Sequence, residues 1–180
     1  MRAGRIAVWG ALALLPGLPL AAGPVAMLAD LPDEARVIDI RAEARCLEAS
    51  LPGARCLPAP ALFGSGETPP VSFHALRWLL GTVGLSGAET VAVYGDDPAE
   101  ALAVAALFYL AGQAGVAVID GAPEAGNRGA PRSFSREVVF TAPMRLAEIR
   151  VDANAPGALR QRLETFARGD APNVAFAPET

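Results

Sequence analysis

Apolar and polar positions fall into short blocks along this chain, and the period of the pattern changes from block to block. "ARVIDIR" (Ala35 to Arg41) and "ETVAVYG" (Glu89 to Gly95) are dense in β-branched residues and predict buried strands. "VAVID" (Val116 to Asp120) predicts a further strand, closed by Gly121. Between these runs the period becomes helical. "AEARCLEAS" (Ala42 to Ser50) predicts a short helix with Leu47 inward, followed by a turn at Pro52-Gly53 and an extended segment that stops at Pro58. "VSFHALRWLLGTVGL" predicts an amphipathic helix with Ser72 as N-cap, Phe73, Leu76, Leu79 and Leu80 on one face, and Gly84 at its end. Pro98 to Gly115 predicts a long apolar helix. Strand and helix alternate, so the expected class is α/β, a largely parallel sheet with helices on both faces.

Beyond Gly121 the pattern loosens. A turn-rich loop runs to Ser135, "REVVF" (Arg136 to Phe140) predicts a strand, and Pro143 to Arg150 a short helix or strand. Pro156 to Gly169 predicts an amphipathic helix with Asn154 near its cap and Leu159, Leu163 and Phe166 on one face. Asp170 to Thr180 reads as a loose tail.

Composition adds class and compartment. The 180 residues suit one domain with a real core, and 52% hydrophobic against 19% charged residues indicate a globular chain. All fifteen basic residues are arginine, scattered in a chain of net charge −4, so nucleic-acid binding is not expected. Arg2 and Arg5, an apolar run from Ile6 to Leu15, and the small residues Ala21, Ala22 and Gly23 have the order of a secretory signal peptide. The alternative is an inner-membrane anchor, disfavoured by Pro16, Pro19 and Pro24. Export to the periplasm or medium is the expectation, with membrane attachment only if this segment is uncleaved. In an oxidising compartment Cys46 and Cys56 predict a structural disulfide closing a short loop.

Three stretches, taken together and in order, resemble the rhodanese-like (sulfurtransferase) family. In "VIDIRAEARCLEASLPGARCLP" a strand ends in Asp39-x-Arg41 and a short helix leads to Pro52-Gly53-Ala54. "VAVYG" looks like the strand that delivers the family's catalytic cysteine, and "ALFYLAGQAGVAVIDGA" like the helix and core strand that follow. The resemblance covers residues 27–126 as a core, leaves 127–169 as a C-terminal extension with a strand and a helix, and implies sulfur transfer through a persulfide.

The chain departs from that pattern where the chemistry sits. Gly95 stands at the position of the nucleophile. The loop after it is Asp96, Asp97, Pro98, Ala99 and Glu100, where the family has a glycine-rich, often arginine-containing anion cradle. Ser50 replaces the usual histidine before the Pro-Gly turn, and Gly121-Ala122 replaces the closing double glycine. A thiolate needs positive surroundings, whereas these carboxylates repel an anionic donor. Asp97 as N-cap, Pro98 at the first helical position and Glu100 at the third instead predict a capping box. A Ca²⁺ site made by Asp96, Asp97 and Glu100 is the lesser alternative, because the EF-hand spacing is missing.

No catalytic set, metal or cofactor is therefore expected. His74 is the single histidine and reads as an ordinary helix residue, Trp78 as a core or contact residue, and Asp120 as a polar strand end. Asp39 and Arg41 are expected to hold structural hydrogen bonds. The leading expectation is an exported rhodanese-like module without sulfurtransferase activity, binding a protein partner or small ligand at the loop Gly95 to Glu100. Two alternatives stand beside it: sulfur or redox chemistry through Cys46 or Cys56, and the inactive half of a larger sulfur-handling assembly.

Overall fold

The computed structural model describes residues 23–65, 69–121, 126–155 and 157–178. The expected signal segment, apart from Gly23, lies outside the described residues, as does Ala122. Among the described residues no helix is long and apolar enough to cross a membrane.

Six strands build one sheet: β1 (Ala26–Leu28), β2 (Arg36–Asp39), β3 (Arg55–Cys56), β4 (Thr90–Tyr94), β5 (Gly115–Ile119) and β6 (Ala130–Pro131). Their order is β1-β5-β4-β2-β3-β6, and every pairing is parallel. The helices are α1 (Glu43–Glu48), α2 (Pro60–Phe63), α3 (Phe73–Thr82), α4 (Pro98–Ala111) and α5 (Leu159–Ala167). A 3₁₀ turn (Leu146–Glu148) leads into β7 (Ile149–Val151), which pairs in parallel with β8 (Val174–Phe176) as a separate small sheet.

Strand alternation sorts the core into two clusters. Ile38, Val91, Val93, Val116 and Val118 face a large core shared with α2 to α5. Val37, Ala92, Tyr94 and Ile119 face the opposite side, joined there by Leu28, Leu31, Ala35 and Leu51. The buried Cys46 of α1 bonds to Cys56 of β3. The coverage is unequal, with most of the helical mass on one side.

α4 explains the extension. Nearly every residue from Ala101 to Ala111 is buried, so the helix is apolar all round and needs cover on its outer side as well as against the sheet. α5 supplies it with Leu163 and Phe166, and the Phe166 ring lies 6.0 Å from that of Tyr109. Arg145 lies over Tyr109 at 4.1 Å from the ring centroid, and Phe73 of α3 meets Phe176 of β8 at 5.1 Å.

Several local expectations are corrected. "REVVF" is not a strand: Val138 and Val139 are exposed, and the Glu137 and Val138 N–H groups donate to the Gly81 carbonyl of α3. The edge position is taken by β6, and the presumed loose tail contains β8. Leu47 is only half-buried; its neighbour Cys46 turns inward because the disulfide holds it there. α4 ends at Gly112, whose φ of 114° forms the left-handed cap, and Gly115 already belongs to β5. Asn154 does not cap α5; the N-cap position is Ala158, without a side-chain bond. Ser72 does cap α3, accepting from the Ala75 N–H at 3.3 Å.

Candidate functional site

The strand end that should carry the chemistry is formed by β2, β4 and the loop into α4. In β4, Val91 to Tyr94 are completely buried, and Gly95 behind them is buried too. Gly95 offers no side chain, and the space beside it is already taken. A Cβ there would stand 2.7 Å from Cγ1 of Ile40 and 3.1 Å from its Cδ1. Ile40 is itself 2% exposed and fixed by its N–H donating to the Tyr94 carbonyl at 3.0 Å.

The acidic loop is neutralised locally. Asp96 pairs with Arg45 of α1, and Glu100 pairs with Arg160 of α5 at 3.0 Å. Asp97 caps α4 as expected, accepting from the Ala99 N–H at 2.9 Å, with Pro98 at the first helical turn. The reciprocal half of the capping box is absent, because Glu100 turns toward Arg160 instead. Among the described residues no group of three or more acidic, histidine or cysteine side chains is placed to hold a metal ion.

Beneath the loop lies a buried polar network. Asp39 is fully buried; Arg41 donates to it through its backbone N–H and Nε at 3.0 Å and through Nη2 at 2.7 Å. The Ser50 hydroxyl donates at 2.6 Å and the Tyr94 hydroxyl at 2.7 Å to the same carboxylate. Arg41 also donates to the Ala49 carbonyl, tying the end of α1 to the strand. Burial works against the charge on Asp39, but the bonds from Arg41, Ser50 and Tyr94 outweigh it and hold its pKa below the usual carboxylate value. Burial raises the Tyr94 hydroxyl pKa, and Asp39 adds to that shift. Asp39 and Arg41 thus bond to each other at the end of β2. The roles of Ser50 and Tyr94 went unread: they stand 44 residues apart, and no local pattern links them.

Cys46 and Cys56 form a disulfide with Cα atoms 5.8 Å apart, and both are buried. Among the described residues no cysteine is free. His74 is exposed, Trp78 is 39% exposed, and Asp120 ends β5 with its N–H on the Leu28 carbonyl. A groove of about 750 Å³ lies elsewhere, between α3, α4 and the extension, lined by Val71, Phe73, Leu107, Ile149, Leu159 and Phe176 among others.

Solved structures share this fold. YnjE superposes with a TM-score of 0.54 at 23% identity, covering 66% of this chain and 31% of that one. EanB, in a complex with ergothioneine, superposes with a TM-score of 0.50 at 17% identity, covering 76% of this chain and 36% of that one. The fold is rhodanese-like. A structure described as a probable thiosulfate sulfurtransferase matches at 27% identity with a TM-score of 0.46, covering 68% of this chain and 54% of that one. The chain therefore spans between about a third and about a half of the proteins it resembles. No family model and no curated protein matches the sequence. In this fold Asp39-x-Arg41 lies at the end of β2, and Gly95 sits where β4 hands over to α4.

Proposed function

We propose that this chain is an exported rhodanese-like domain that transfers no sulfur and works as a binding or scaffold module. The observation that carries this reading is the packing of Ile40 against Gly95. Persulfide chemistry needs a nucleophilic sulfur at the mouth of the loop, with donors free to receive an anion. Here that position holds no sulfur, its side-chain space is occupied, and Asp97 uses the first free N–H of α4. The buried Asp39 network supports a structural role for this strand end.

Export rests on the order of Arg2, Arg5 and the apolar run after them, and the disulfide suits an oxidising compartment. Incubation of the pure protein with thiosulfate and cyanide is expected to release no thiocyanate, and sustained turnover overturns the reading. The disulfide makes chemistry through a free Cys46 or Cys56 the weaker alternative, because both sulfurs are buried and spent on each other.

A further inference from the structure

The loop that leaves edge strand β6 crosses the C-terminal end of α3 at Gly81 and Thr82 and is fastened at both ends. The Ser133 N–H donates to the Thr82 carbonyl at 2.9 Å, and the Glu137 N–H to the Gly81 carbonyl at 3.0 Å. Arg55 holds the Glu137 carboxylate at 2.6 Å and the Pro131 carbonyl at 3.2 Å, and the Ser133 hydroxyl donates to Glu137 as well. Gly81 allows the crossing, since a Cβ there would stand 2.5 Å from the Val138 carbonyl. Between these anchors Phe134 is 103% exposed, touching nothing. Leaving such a ring in water forgoes roughly 1.5–3 kcal/mol, and a slack loop would fold it back. The pinned ends prevent that.

Arg132 and Arg136 flank the ring. Both are exposed, and among the described residues neither guanidinium has an ion-pair or hydrogen-bond partner, whereas Arg41, Arg45, Arg55, Arg160 and Arg168 all pair with carboxylates. Trp78, one helical turn before Gly81, and Val139, 58% exposed, widen the apolar area beside the loop.

We propose that Phe134, with Arg132 and Arg136, is the docking anchor for an acidic protein partner. The ring enters an apolar socket, and the two guanidiniums pair with carboxylates at its rim. Aromatic and arginine side chains are the types that dominate protein contacts, and the guanidinium fork matches a carboxylate in two bonds. Charge decides against a lipid surface. On an anionic membrane two arginines contribute about 1 kcal/mol each, and one ring adds too little to hold a chain of net charge −4. The inference rests on the binding reading above, but the two fail separately: thiocyanate release removes that reading, and the following experiment decides this one.

The full chain is made in its own cells with the photoreactive residue in Phe134→p-benzoylphenylalanine, irradiated, and the cross-linked peptide is sequenced. The expected result is a link to a different protein, at a segment rich in Asp and Glu around apolar residues. Its yield should drop about tenfold in the Arg132→Glu/Arg136→Glu background. The same probe in Leu146→p-benzoylphenylalanine, exposed but away from the loop, should not give that link. Links to lipid or to the chain itself, a yield unchanged by charge reversal, or no link at all overturn the proposal. Neither arginine contributes to the pinning bonds, so an unchanged thermal transition confirms that the fold is intact in the charge-reversed chain.

Discussion

Ile40 and Gly95 share one side-chain space: a Cβ on Gly95 would stand 2.7 Å from Ile40 Cγ1, closer than any real pair of carbons rests. Placing a thiol there by Gly95→Cys is therefore an overpacking substitution, expected to cost about 1–3 kcal/mol in denaturant unfolding. Ile40→Ala alone opens a cavity and should cost about 2–5 kcal/mol. The double variant should be more stable than the sum of the two, because each change relieves the other. Thiocyanate release should stay at background in all three. Strict additivity in the cycle would show that the two side chains do not compete.

Asp39 and Arg41 are both buried, so neither can lose its partner cheaply. Asp39→Asn is expected to cost about 3–5 kcal/mol, since it leaves the guanidinium buried without a counter-charge. The pH dependence has a definite sign. The folded-state pKa of Asp39 lies below the unfolded value, so its contribution is present above about pH 4 and is lost as pH falls toward the folded-state value. Tyr94 is raised and acts in the opposite direction: its contribution is full below about pH 10 and is lost as pH rises through the folded-state value. Urea titrations from pH 6 down to pH 3 should show a steeper loss for the parent chain than for Asp39→Asn. Parallel acid limbs would count against the network.

The sequence was legible where one element decides its own state, and opaque where a partner decides it. β2, β4 and β5 were readable from their β-branched runs, and α3 from its cap and stripe. β6 has two residues, one of them proline, and exists because β3 leaves an open edge beside it. β8 is three residues between Pro172 and Pro178 and pairs only with β7. "REVVF" has the composition of a strand, but its N–H groups reach Gly81 of α3 before any sheet. At the site, the lack of a side chain at Gly95 was readable from one position. The filling of that space by Ile40 was not, because it is a distance between two chain segments 55 residues apart. The same holds for the salt bridges of the acidic loop: the carboxylates were in view, but Arg45 and Arg160 come from other elements.

Those salt bridges and the helix cap should separate cleanly in mutants. Asp96 and Arg45 are about half exposed, and such pairs contribute about 0–1 kcal/mol. Asp97 satisfies an N–H that is otherwise unbonded, and caps of this kind contribute about 0.5–2 kcal/mol. Asp97→Ala should therefore lower the unfolding midpoint clearly, while Asp96→Ala stays near the parent, more so at high salt. A larger effect at Asp96 would mean that the loop is held by its surface pair and not by the helix.

The disulfide ties α1 to β3. Closing a loop of this size stabilises the chain by roughly 3 kcal/mol in the chain-entropy model. Gly129 lies against both sulfurs, and its N–H donates to the Cys46 carbonyl at 2.9 Å, so β6 depends on the bridge for its footing. Cys46→Ser/Cys56→Ser should therefore destabilise the whole domain by about 2–4 kcal/mol, with the largest loss of hydrogen-exchange protection at Gly129 and Ala130. In the parent chain, mass spectrometry should show two hydrogens fewer than the reduced mass and no alkylation without reductant. Rapid alkylation of the native, unreduced protein would mean that these sulfurs are available for chemistry after all.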